Sequence, residues 1–126
     1  MKDVAIFIVT LMVIIAVGMW QVNYLEETSR YLKTDLKYVE YFLKMEKYHD
    51  AGDSLKNVKN SWDSMEDTWA IFIHHDDIEK VEVGMSEIAS YIESEEKEEA
   101  IAKIESIISN IEYTVECEKI CIKNIF

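Results

Sequence analysis

A run of seventeen residues without a charge, Val4 to Trp20 (VAIFIVTLMVIIAVGMW), constrains this chain more than any other feature. In hydrocarbon every backbone amide and carbonyl must be satisfied within the protein, so a lone spanning segment has to be a helix. At about 1.5 Å per residue the run is roughly 25 Å long, slightly short of a ~30 Å hydrocarbon core. Trp20 ends it and Tyr24 follows one turn later, where amphipathic rings anchor at headgroup level. Ala16-Val17-Gly18 has the small residues of a signal-peptide cleavage site. The apolar stretch passes straight through it, however, and no polar region precedes it. No cysteine lies nearby for lipid attachment. An uncleaved anchor is therefore expected over residues 1–22, with an acidic helical domain over residues 23–126.

Only Met1, Lys2 and Asp3 precede the run, while Arg30, Lys33 and Lys37 follow it. A count of basic residues alone would place the C-terminal side inside. Glu26 and Glu27 lie closer to the membrane, and short N-terminal anchors commonly leave their tail in the cytoplasm. The expectation is a single-pass membrane protein with its helical domain extracytoplasmic. Three residues on the far side are too few for an output domain, so the chain is not expected to signal across a membrane alone.

Proline is absent and glycine occurs three times in 126 residues, which favours long uninterrupted helices. Beyond the apolar run stand 24 acidic and 12 basic side chains, and residues 74–126 carry −9 of the net −12. Such a surface repels phosphate backbones and anionic headgroups, which argues against nucleic acid as a partner.

The rest of the chain shows three helical patterns. Leu25, Leu32, Leu36, Val39 and Leu43 recur at helical spacing, with Tyr24, Tyr31, Tyr38 and Met45 as a second line seven apart. Gly52 is expected to end this helix and Asp53 or Ser54 to cap the next. Leu55, Val58, Trp62, Met65, Trp69 and Phe72 then step by three and four, as do Ile78, Val81, Met85, Ile88 and Ile92. The two stripes are about 200° out of phase. The slip falls on His74-His75-Asp76-Asp77. A continuous helix of about forty residues is favoured over a break with Asp76 as cap and Glu79 completing a box-like pair. Ser94 is expected to cap the last helix, which carries Ile101, Ile104, Ile108, Ile111, Val115, Ile122 and Ile125 with Glu118 as its one polar intruder. The fold class expected is all-α: a transmembrane helix followed by an antiparallel three-helix or four-helix bundle. Its structural core would include Trp62, Trp69, Phe72, Ile78, Ile125 and Phe126. Phe126 is placed level with residue 63 and closes one end of that core with Trp62, Tyr38 and Tyr41.

The polar cluster could hold a metal. His75 and Glu79 share one helix face, His74 and Asp77 another, and imidazole with carboxylate suits zinc or iron. A site needs three or four converging ligands, though, and each face offers two. His49 lies near a distant turn. The cluster is read as a solvated joint, with no metal and no cofactor. There is no nucleophile elbow and no phosphate loop, and nothing marks an enzyme. Cys117 and Cys121, one turn apart on a helix, are poorly oriented for a mutual disulfide.

Trp62 and Trp69 seven apart, then His75-Asp76-Asp77-Ile78, an acidic helix start near residue 95 and the ending Asn124-Ile125-Phe126 resemble domain-of-unknown-function family 4363. The resemblance covers most of the chain, with Asp77 standing where glutamate is expected. It implies a small bacterial protein with an N-terminal membrane helix and a helical remainder. It implies no activity, and it draws attention to His75 rather than His74. The function expected is that of a non-catalytic interaction or structural module, whose partner is a membrane-associated protein or a second copy. The alternative is a small-ligand or metal-responsive sensor subunit centred on His74, His75, Asp77 and Glu79.

Overall fold

The computed structural model describes residues 1–125, and of Ile125 only the backbone. Four helices make up the described residues, and no strand occurs among them: α1 (Lys2–Lys44), α2 (Tyr48–Phe72), α3 (His75–Glu93) and α4 (Lys97–Ile125). The first combines the apolar run and the first amphipathic stripe in 43 residues, without a break at 22–23. α1 runs unbroken from Val4 to Leu43, a stretch with no proline and a single glycine, Gly18, which is buried.

The helix ends depart from the expected caps. α1 closes at Lys44, and Gly52 lies within the second turn of α2. Glu46 takes the left-handed conformation (φ 59°), and the N–H groups of Glu46 and Lys47 donate back to the carbonyls of Leu43 and Phe42, both at 2.9 Å. That is a Schellman closure with glutamate where glycine is usual. α3 ends the same way. Ser94 closes α3 instead of capping α4, Glu95 is left-handed (φ 55°), and Glu96 N–H reaches Tyr91 O at 2.8 Å. Neither turn uses a glycine, which is why Gly52 misled the sequence reading.

The favoured continuous helix through residues 73–77 is also corrected. α2 stops at Phe72, Ile73 and His74 are extended, and α3 begins at His75. His74 rather than Asp76 occupies the cap position, and it makes no side-chain capping bond. The physical reason is the phase slip. A continuous helix would send the two stripes to opposite sides, whereas a reversal folds α3 back on α2 and turns both inward. The lost helical bonds are few and are replaced locally. Ile73 N–H reaches Trp69 O at 2.8 Å, and Asp77 and Ile78 N–H reach His74 O at 3.1 and 3.2 Å. Ile73 itself is buried. Asp76 and Asp77 stand in the first turn of α3, where the helix dipole favours negative charge.

α1 packs against α2 and α4, and α3 packs against the same two. Successive helices run in opposite directions. Thr28 meets Trp69 and Trp20 meets Phe72 across α1–α2, and Glu87 meets Lys103 across α3–α4. The shared interior holds Leu25, Leu32, Leu36, Leu43, Trp62, Trp69, Met85, Ile88, Ile104 and Ile111, all nearly inaccessible. α3 approaches α4 tightly at Gly84: a Cβ there would lie 2.5 Å from Ile107 Cδ1 and 2.8 Å from Ile107 Cγ1.

Gln21 Nε2 donates to Glu118 at 3.0 Å, Lys33 pairs with Glu112 at 3.5 Å, and Lys37 pairs with Glu105 at 2.6 Å. This register carries the last turn of α4 to about the level of residue 17, alongside the end of the apolar run. Gly18 is buried and Ile15 half-buried, so the inward stripe of α1 continues into that run. Glu118, the polar intruder of the last helix, is thereby partnered. The expected aromatic closure of Trp62, Tyr38, Tyr41 and Phe126 does not form as described. Tyr38 and Tyr41 are exposed, and Trp62 packs on Trp69 with ring centroids 5.6 Å apart. Once α2 and α3 are separate helices, α4 runs beside α1 towards the apolar run rather than towards residue 63. Phe126, and the side chain of Ile125, lie outside the described residues.

Candidate functional site

The joint between α2 and α3 spreads its polar groups outward. His74, His75, Asp76 and Glu79 are exposed, and Asp77 is half-buried, 3.9 Å from Lys80. Among the described residues no three His, Cys, Asp or Glu side chains are grouped to hold a metal ion. Asp76 and Glu79 border a shallow groove between α3 and α4 that Lys80 and Lys103 also line, and these lysines pair with Asp77 and Glu87 at 3.9 and 2.9 Å. His49 sits at the opposite end of the molecule, 3.4 Å from Asp53. Cys117 and Cys121 are free thiols, the first half-buried and the second exposed. The Cys117 thiol beside Tyr113 raises that phenol above its ordinary range.

Two carboxyl pairs bridge helices, and the sequence reading did not find them. Glu40 on α1 is 5% exposed and faces Glu105 of α4, with Lys37 Nζ 3.2 Å from the first and 2.6 Å from the second. Burial pushes Glu40 above the ordinary carboxyl range and the adjacent Glu105 adds to this, while the bond from Glu40 holds Glu105 below it. The signal was legible, because residue 40 is four after Leu36 and falls on the core stripe. Across α2–α3, a hydrogen bond to Glu82 and partial burial raise Glu66 to about 7, and Asp63 and Asp67 act in the same direction. No periodicity within one helix announces a partner on another. Each pair joins two helices.

Two surfaces have the character of contact sites. The first is the outer face of α1, where Tyr31, Tyr38, Tyr41 and Met45 are all exposed. Tyr24, the start of that line, is partly buried and stacks on Trp20 at 5.5 Å. The second is the end of the molecule beside the apolar run. There Trp20 meets Phe72 edge-on at 6.0 Å, and Ile71 next to it is exposed. The α2–α3 joint, with its two histidines, therefore lies beside the end of that run.

The described residues are thus all-helical, and one helix among them is long and apolar enough to cross a membrane. The model of a family described as a domain of unknown function (DUF4363) matches residues 19–125, and the chain belongs to that family. No curated protein and no solved structure gives a match.

Proposed function

We propose that the protein is a membrane-anchored, non-catalytic interaction module. In this reading α1 crosses the bilayer through Val4–Trp20 and continues as the first member of an antiparallel four-helix bundle standing extracytoplasmically. The module binds a membrane-associated protein or a second copy of itself. Support for the anchor comes from the apolar window of α1, which is almost entirely unburied although it lies within a helix of 43 residues. A core helix of the same composition would be covered.

The observation that carries the interaction reading is the exposed line Tyr31, Tyr38 and Met45, with Tyr41 beside it. Tyrosine gives a large, stiff contact area with a polar tip and is enriched at protein interfaces. Seven-residue spacing is that of a seam between two helices. The same helix enters the apolar run, so a bilayer would fix the angle at which the seam is offered. A photo-crosslinking residue at Tyr38, in the full chain in its native membranes, tests this. A discrete protein adduct, lost when Tyr31 and Tyr41 are changed to serine, supports the reading, and its mass distinguishes a second copy from another protein. Adducts to lipid or water alone would overturn it.

A further inference from the structure

We infer that the α2–α3 turn is a second membrane contact, with Ile71 and Phe72 seated in the headgroup layer of the bilayer that α1 crosses. The inference rests on the membrane reading of α1 and goes beyond it, since a spanning helix alone does not require any other element to touch the bilayer.

Three observations place the turn there. Phe72 lies against Trp20, the last residue of the apolar run, with centroids 6.0 Å apart. Trp69 meets Thr28, about two turns beyond Trp20, so α2 runs antiparallel beside α1 and residue 71 is level with about residues 21–26. That is at most ~9 Å beyond Trp20, against a headgroup layer of roughly 5–8 Å on each side of the hydrocarbon. Third, Ile71 is 74% exposed, on the side of α2 away from Trp62 and Trp69. An isoleucine so placed is left uncovered by the described residues.

The occupant is lipid, because the neighbouring apolar run is bare. Val9, Met12, Val13, Val17 and Met19 are all exposed. Whatever solvates them meets the turn that packs on their end. The turn also has the amphipathic make-up of an interfacial segment, with Ile71 and Phe72 followed by exposed His74, His75 and Asp76. The acidic surface makes anionic lipid unnecessary and unfavourable, so a zwitterionic bilayer suffices.

The test places an environment-sensitive fluorophore on single cysteines of the full chain, in a Cys117→Ser, Cys121→Ser background, reconstituted in phosphatidylcholine vesicles carrying a nitroxide at the headgroup end of the acyl chain. Val9→Cys reports insertion of α1, Ile71→Cys the turn, and Tyr41→Cys the exposed far end of α1. Quenching at position 71 several-fold stronger than at 41, with emission shifted to the blue, is expected. Quenching at 9 with none at 71 would overturn the second contact and leave the anchor standing. No quenching at 9 would overturn both. A blue-shifted but unquenched label at 71 would mean protein covers the turn, which also overturns the inference.

Discussion

The indole N–H of Trp69 donates to the Thr28 hydroxyl at 2.9 Å, and that hydroxyl donates in turn to the Tyr24 carbonyl at 2.7 Å. One of the two tryptophans of α2 is thus tied to the backbone of α1 one turn beyond the apolar run. Trp69→Ala should cost roughly 3–5 kcal/mol, as large core truncations do. Trp69→Phe should cost less, about 1 kcal/mol of it from the lost hydrogen bond. His75→Ala, at an exposed position, should stay within about 0.5 kcal/mol. Chemical denaturation of the detergent-solubilised chain checks all three, and a His75 loss comparable with that of Trp69→Ala would contradict the exposed joint.

Gly84→Ala should destabilise the fold by about 1–3 kcal/mol, because its Cβ would overlap the buried Ile107 side chain. Shortening the neighbour gives the specific signature. Gly84→Ala combined with Ile107→Val should be less destabilised than the two single losses added together. Strict additivity in a double-mutant cycle would mean that α3 and α4 do not meet at this point.

Glu95 closes α3 in the left-handed region, where a Cβ is unfavourable. Glu95→Gly should therefore stabilise the chain, by roughly 0.5–1 kcal/mol. Glu93→Gly, two residues earlier and inside the helix, should do the opposite. Comparing the two melting temperatures tests the closure directly.

Glu66 is raised from 4.5 to about 7 by its bond to Glu82. Between those values the folded chain holds a proton that the unfolded chain releases, so raising the pH through that window weakens the fold. Glu66→Gln cannot lose the proton. It should melt close to the parent chain near pH 5 and above it near pH 8. Parallel melting curves at both pH values would show that the two carboxyls do not share a proton.

Much of the architecture was legible in the sequence because stripes report faces. The Leu55–Phe72 and Ile78–Ile92 lines gave two helical stripes and the 200° slip between them. They did not say whether the backbone bends there, since Ile73 and His74 are ordinary residues in extended conformations and neither is a glycine or proline. The break near residue 94 was legible, but the left-handed closures at Glu46 and Glu95 were hidden, as glutamate seldom takes a positive φ. The exposed Tyr31–Met45 line was visible as a repeat, but its direction was not. A repeat seven apart looks the same whether it faces the core or the solvent. Cross-helix pairs such as Glu66–Glu82 need the register between helices, which no single segment carries.

The most direct test of the account is whether α1 holds the full chain in a membrane. Cell membranes carrying the full chain are washed with alkaline carbonate, and the intact N-terminus is checked by mass in the same sample. The account predicts that the uncleaved chain stays in the pellet and is released only by detergent. Replacing Ile8, Met12 and Ile15 with lysine, within the run, should move it to the supernatant. Uncleaved wild-type chain in the soluble fraction would contradict the anchor, and with it the reading of a module held at the membrane.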